Sequence, residues 1–339
     1  KLMPKINDSY RYIYISNMKI LVCGSTGFIG RNIVESLSKV KGCRVTAVYN
    51  KKPQFLIDNV DFVQADLTVV DDVARVVRSH DVVIQAAANT TGVKDVIERP
   101  YIHVTDNAVM NSLILKSCYD NNIKKIIFFS CTVMYQTKSQ PFLEKQVTES
   151  DFDPSNEIFP GYFGVGWTKV YIEKMCEFYS RLGRTKHYVI RHSNIYGPHD
   201  KFDLENSHVF GATVNKILNK KSEEVNIWGD GLEKRDFLYI DDLVESVKKI
   251  ISISSKKPFY LLNIGSGSAI SIKNLVNVII KVSGVKDKRI IYDDSKPTVK
   301  TSISLDCSLA KAVIDWRPKV SLEEGIKKTI YWYERNIVK

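Results

Sequence analysis

Met18-Lys19-Ile20-Leu21-Val22-Cys23-Gly24-Ser25-Thr26-Gly27-Phe28-Ile29-Gly30 decides the fold. The apolar run Ile20–Cys23 is short, β-branched at two positions and lacks a 3.6-residue period, so it reads as a buried strand. Gly24, Gly27 and Gly30 follow at G-x-x-G-x-x-G spacing, and a helical pattern then runs through Phe28, Ile29, Ile33, Val34 and Leu37. Strand, glycine turn and helix together form the context in which such glycines cradle a dinucleotide. Gly24 suits the tight turn, Gly27 the close approach of a pyrophosphate, and Gly30 close helix–strand packing. The N–H groups freed at the helix start favour a phosphate. The candidate cradle is therefore Gly24, Thr26, Gly27, Phe28, Ile29 and Gly30.

Outward from this turn, strand and helix patterns alternate, which predicts an α/β fold with a Rossmann-type doubly wound parallel sheet. Strands are expected at Arg44–Tyr49, Val60–Ala65, Val82–Ala86, Lys125–Ser130 and Tyr188–Arg191, with helices over Val104–Tyr119 and Gly161–Leu182. The second strand ends in Asn50-Lys51-Lys52. A carboxylate there would bind the adenosine ribose diol and repel a 2′-phosphate; its absence favours NADP(H) over NAD(H). The third strand leads to Asp66-Leu67. The fourth ends in Ala86-Ala87-Ala88, small residues that let a cofactor lie close. Regular alternation stops at Asn194-Ile195-Tyr196-Gly197-Pro198. The expected organisation is an extension over 1–17, a dinucleotide-binding domain over 18–194 plus about 236–265, and a smaller mixed α/β substrate lobe over 195–235 and 266–339.

Composition narrows the function classes. A chain of 339 residues is long for one core, and 44% hydrophobic content is ordinary for a soluble globular protein. No apolar run reaches the roughly 18 residues a transmembrane helix needs. Residues 1–17 lack the apolar core of a signal peptide. Six scattered cysteines have neither metal-site nor disulfide-framework spacing, so no metal and a reduced, cytoplasmic protein are expected. The net charge of +11 is spread along the chain without a basic helix or aromatic RNA motif, which argues against nucleic acid and for a general attraction to anionic nucleotides.

Taken in order, these segments resemble the extended short-chain dehydrogenase/reductase superfamily, in its sugar-nucleotide epimerase/dehydratase/reductase branch. The likeness runs from Lys19 to about Arg335 and includes Gly24–Gly30, Asp66-Leu67, Phe128-Phe129-Ser130, the helix carrying Lys169, Arg191–Pro198 and Trp316-Arg317-Pro318. Residues 194–202, 205–209 and 228–237 are most similar to the GDP-L-fucose synthase family of GDP-sugar epimerase/reductases. The resemblance implies adenine contacts at Asp66 and Leu67, a nicotinamide-ribose contact at Lys169, and an epimerising acid/base at His208. It implies substrate contacts at Asn194, Asn206, Val209, Trp228 and Arg235, and a homodimer. A fork of guanidinium donors suits a diphosphate and an aromatic face suits a base or sugar. A structural His208 and a core Trp228 are the bland alternatives.

The superfamily's catalytic Tyr-x-x-x-Lys is broken. Val165 stands four residues before Lys169, and valine cannot donate a proton. Tyr162 lies two helical turns before Lys169, about 10 Å of rise, too far for direct contact along one helix. From the loop after Pro160-Gly161 it could still reach the pocket. The Ser/Thr position falls on Cys131 or Thr132 according to how the strand end is counted. Threonine is the better donor, since a thiol donates weakly, and Ser130 stands behind it. Candidate catalytic residues are therefore Thr132, Lys169, His208, Cys131 and Tyr162. The expected activity is NADP(H)-dependent C4 reduction and/or epimerisation of a nucleotide-activated keto-deoxysugar, most plausibly GDP-linked. Alternatives are an epimerase or dehydratase variant and a catalytically silent sugar-nucleotide binder.

Overall fold

The structure is a computed structural model that describes residues 15, 17–89, 99–137, 146–204, 207–296 and 302–338. The chain runs β1 (Lys19–Cys23), α1 (Phe28–Leu37), β2 (Arg44–Tyr49), β3 (Val60–Gln64), α2 (Val70–Val77), β4 (Val82–Gln85), α3 (Thr105–Asp120) and β5 (Lys125–Ser130). Short β6 (Gln146–Val147) precedes α4 (Phe163–Arg181), β7 (Lys186–His192), β8 (Asn194–Tyr196), α5 (Val209–Leu218), β9 (Glu224–Trp228), β10 (Lys234–Tyr239) and α6 (Ile240–Ser252). The remaining elements are β11 (Phe259–Ile264), β12 (Ala269–Ser271), α7 (Ile272–Ser283), β13 (Arg289–Asp293), β14 (Ser302–Leu305), α8 (Ser308–Ile314) and α9 (Leu322–Asn336).

Seven parallel strands form the main sheet in the order β11-β7-β5-β4-β1-β2-β3, the doubly wound arrangement expected from the alternating pattern. Helices cover both faces, so β1 is apolar throughout: Ile20 and Val22 enter one core cluster, and Leu21 and Cys23 the other. Strand order reverses between β1 and β4, and ligands bind such folds at the carboxyl edge of that switch point. Gly24 after β1 and Ala86-Ala87 after β4 meet there.

The smaller lobe is built on a mixed sheet, β12-β10-β14-β6, with β8 also pairing β10, and a separate β9–β13 pair. The strand near 236–240, expected to rejoin the first lobe, pairs in this smaller sheet instead. The chain returns to the large sheet through α6 and β11. Lys125 of β5 fixes that return: its buried ammonium donates to the carbonyls of Ile250, Ile251 and Ile253 at the end of α6, at 3.0, 2.6 and 2.5 Å. Strand β10 and helix α6 are contiguous in sequence, and β10 pairs in the small sheet. Asp236 anchors the small sheet by accepting from Ser266 N (2.8 Å), Gly267 N (3.1 Å) and Leu305 N (3.1 Å). Among the described residues, no helix is long and apolar enough to cross a membrane, and no His, Cys, Asp or Glu cluster could hold a metal.

Candidate functional site

The glycine turn is packed so tightly that side chains are excluded. A Cβ on Gly24, whose φ is +73°, would lie 2.6 Å from the Ala87 backbone. One on Gly30 would lie 2.2 Å from the Gly24 carbonyl oxygen. Ser25 ties the turn to the end of β2, its N–H and hydroxyl both donating to Val48 O, at 3.0 and 2.9 Å. Gly27 precedes α1 and has no side chain with which to cap it, so the first-turn N–H groups are left for an outside acceptor. This cradle fits a dinucleotide pyrophosphate.

Around it, Asp66 is ionised firmly, because the Thr68 hydroxyl and N–H both bond its carboxylate and hold it below the usual range. Ala86 and Ala87 are half-buried and Ala88 is exposed. Their loop is fixed by a polar ladder: Gln85 to Asn111 (3.1 Å), Asn111 to Asn107 O (2.7 Å), and Asn107 to Asn89 O (3.0 Å). At the end of β2, Asn50, Lys51 and Lys52 are exposed. The Lys52 pKa is lowered, first by partial desolvation of an otherwise exposed side chain and then by two further cations, Arg31 and Lys201. Arg31 is held by Glu35 (2.9 Å) and lies over the Phe55 ring.

The catalytic candidates gather at the carboxyl ends of β5 and β7. Lys169 on α4 donates to Phe129 O at 2.8 Å, and burial lowers its pKa against the opposing pull of Cys131 and Glu173. Cys131 is half-buried; burial raises its pKa while Lys169 and the Val133 N–H lower it. Thr132 precedes a 3-10 turn over Val133–Tyr135, and its hydroxyl does not cap that turn. Ser130 is excluded from the reacting position, because its hydroxyl donates to Glu173 at 2.5 Å. Val165 remains half-exposed one turn before Lys169. Tyr162 closes a 3-10 turn over Pro160–Tyr162; burial raises its pKa, and the charges that act on it are Arg235 and Cys131, not Lys169.

From the smaller lobe, Arg235 of β10 donates to Lys234 O at 3.2 Å; burial lowers its pKa, with Tyr162 and Glu233 pulling it the other way. His208 precedes α5 without capping it, and its ring stays exposed. Desolvation lowers its pKa, as does repulsion from Lys201 and His103. Val209 opens α5, and Asn194 donates to Asp236 O at 3.1 Å. Trp228 is 42% exposed, so it is not a core residue, and Lys216 lies over its ring. Asn206 lies outside the described residues. Cys131, Tyr162, Lys169 and Arg235 sit deep in the protein yet keep accessible surface, as residues lining a cleft do. An open depression lined by Lys39, Arg44 and Asp58 lies at the opposite, amino ends of β1 and β2, remote from Lys169.

Sequence reasoning missed His192, the last residue of β7, whose pKa is lowered to about 4 by burial, Lys169 and His208. It also missed Arg31 and Lys201 beside Lys52. Arg31 follows Gly30 directly, and that adjacency was the available signal; Lys201 is distant in sequence and carried none.

A profile of the NAD dependent epimerase/dehydratase family matches residues 20–265. The chain is 28% identical over 329 residues to a GDP-L-fucose synthase of Sinorhizobium fredii, covering 95% of this chain and 98% of that protein. It is 29% identical over 323 residues to a GDP-L-colitose synthase of Yersinia pseudotuberculosis, covering 93% and 98%. Among solved structures, UDP-glucose 4-epimerase of Thermotoga maritima, bound to UDP-glucose, superposes with a TM-score of 0.82 at 28% identity, covering 94% of this chain and 100% of that one.

Proposed function

Given that this chain belongs to the NAD dependent epimerase/dehydratase family, we propose that it is an NADP(H)-dependent enzyme for C4 reduction, with or without epimerisation, of a GDP-linked keto-deoxysugar. What supports this reading is the placement of Lys169, whose ammonium donates to Phe129 O at 2.8 Å at the carboxyl end of β5, next to Cys131 and Thr132; Arg235 and His208 are contributed by the smaller lobe. GDP rather than another nucleotide is supported by the names of the relatives that match nearly end to end.

The dinucleotide, when bound, supplies or takes the hydride. Gly24, Thr26, Gly27, Phe28, Ile29 and Gly30 hold its pyrophosphate, and Ala86, Ala87 and Ala88 let it lie close. Asp66 and Leu67 meet the adenine. Asn50, Lys51 and Lys52, with Arg31 and Lys201, favour a 2′-phosphate over a bare ribose diol. Lys169 holds the nicotinamide ribose, and Thr132 orients the sugar oxygen. Arg235 neutralises the substrate diphosphate, with Tyr162 as a hydrogen-bond donor beside it. Trp228, Asn194, Val209 and Asn206 complete the substrate contacts, and His208 moves the proton of epimerisation.

Exposed Val109 of α3, Tyr171 and Phe178 of α4, and Leu182 just after it support a homodimer through these helices. Val165 favours a second reading, a related epimerase or dehydratase in which C4 oxidation is only transient, or a silent binder. Mixing the protein with NADPH and GDP-4-keto-6-deoxymannose tests the first reading. NADPH oxidation that is lost in Lys169→Ala supports it. Binding of both ligands without turnover, across GDP- and UDP-linked keto-sugars, favours the silent binder.

A further inference from the structure

Arg31 follows the last glycine of the turn, and Glu35 stands four residues on, along the same face of α1. Arg31 Nε donates to Glu35 Oε1 at 2.9 Å. The guanidinium carbon lies 4.3 Å from the centre of the Phe55 ring, in the loop that follows β2. Phe55 is itself set edge-on against Phe62 of β3, at 5.1 Å. The Nε edge and one face of the guanidinium are thereby held, and among the described residues neither terminal nitrogen is hydrogen-bonded. A fork in this state suits the oxygens of a phosphate. The end of β2 is also where this fold meets the adenosine ribose.

An exposed ion pair at i,i+4 is weak by itself, and a third residue fixes this one. His199 Nε2 lies 3.0 Å from the same Glu35 oxygen. A carboxylate oxygen only accepts, so Nε2 carries the hydrogen. The His199 ring stands edge-on to Trp332 of α9 at 4.8 Å, and its backbone is left-handed, with φ +69°. Asn32, next to Arg31, donates to Pro198 O at 2.9 Å. The loop after β8 therefore grips α1 at two adjacent points. Burial raises the Glu35 pKa, but the bonds from His199 and Arg31 outweigh it and keep the carboxyl below its usual value. A bare carboxylate here would repel a 2′-phosphate, and an oxygen that already accepts from two donors does so far less.

We infer that His199 is a positioning residue for the 2′-phosphate of the dinucleotide: through Glu35 it sets the Arg31 guanidinium against Phe55, with two nitrogens free for that phosphate. This rests on the proposed function for the NADP(H) cofactor and goes beyond it by tying cofactor choice to the substrate lobe. Lys51 and Lys52 supply charge at this end of the site, and Arg31 supplies direction. His199 acts only through Glu35 and Arg31.

Fluorescence titrations of the full chain with NADPH and with NADH test this in wild type, Arg31→Ala, His199→Ala, His199→Gln and the Arg31→Ala/His199→Ala double variant. Arg31→Ala is expected to weaken NADPH by roughly tenfold or more and His199→Ala by roughly threefold to tenfold, each leaving NADH within about twofold. His199→Gln can still donate to Glu35 and should recover most of the loss. In the Arg31→Ala background, His199→Ala should add nothing, because its effect passes through Arg31. Equal weakening of NADPH and NADH by His199→Ala overturns the inference, since that marks a role in loop packing alone. So does a His199→Ala effect that persists undiminished without Arg31, an unchanged NADPH affinity in His199→Ala, or a wild type that does not prefer NADPH. If wild type prefers NADPH but reduces no keto-sugar, the proposed sugar reaction fails, while the titrations still decide the role of His199.

Discussion

Glu173 accepts two hydrogen bonds from the Arg191 guanidinium, at 3.0 and 2.6 Å, with both side chains almost wholly buried. The pair couples α4 to β7 directly beneath the cleft. Arg191 also donates to the Tyr135 hydroxyl at 2.9 Å, and that hydroxyl donates to Asn263 at 2.8 Å. Helix α4, strands β7 and β11 and the 3-10 turn over Val133–Tyr135 are thereby held to one polar network. Glu173→Ala leaves an uncompensated buried guanidinium and should destabilise the fold by about 3–5 kcal/mol. The urea midpoint would report this, and Glu173→Gln should lose less. A Glu173→Ala midpoint within error of wild type rules out this account of the pair.

The glycine turn predicts a sharp separation between positions. Gly30→Ala places a methyl against backbone that cannot yield, 2.2 Å from Gly24 O, whereas the nearest atom for Gly27→Ala is at 3.3 Å. Gly30→Ala should therefore abolish NADPH binding and lower the melting temperature. Gly27→Ala should keep the fold and weaken the dinucleotide alone. Fluorescence titration and thermal melts of both variants distinguish the outcomes.

The proposed preference for NADP(H) draws on three residues separated in sequence, Arg31, Lys52 and Lys201, whose charges act on one another. A bound 2′-phosphate would gain charge-assisted hydrogen bonds there. Lys52→Glu should weaken NADPH by roughly tenfold or more and leave NADH within a few-fold, since such a bond contributes about 1.5–3 kcal/mol. The measurement is the ratio of the two dissociation constants. Tighter NADH than NADPH in wild type would remove the argument from the end of β2.

Legibility from sequence followed periodicity. Phe28–Leu37 and Lys125–Ser130 form a helix and a strand with the boundaries their apolar patterns indicate, because the helix buries one apolar face and the strand is buried throughout. The small lobe was opaque: β6, β8 and β12 are two or three residues long, too short for any period, and pair with distant partners. In the site, Lys169 was singled out by the family resemblance, and its bond to Phe129 O is a contact that pattern cannot reveal. The involvement of Ser130 with Glu173 was hidden for the same reason.

His187 offers a stability test independent of ligands. It lies fully buried in β7, with neither ring nitrogen hydrogen-bonded among the described residues, and burial pushes its pKa from 6.5 to about 4. The folded state keeps this ring neutral while the unfolded chain protonates it between those values. Its contribution is therefore fully present above pH 6.5 and is lost as the pH falls towards 4, a change of up to about 3 kcal/mol. His192 shares the same window, pushed to about 4 as well, so removing His187 should flatten the acid limb without abolishing it. His187→Leu also removes two unsatisfied polar atoms, so stability at pH 7 should hold or rise. Urea midpoints at pH 7, 6, 5 and 4 for wild type and His187→Leu give the comparison. Parallel curves for the two proteins would mean that His187 is not the acid-sensitive group.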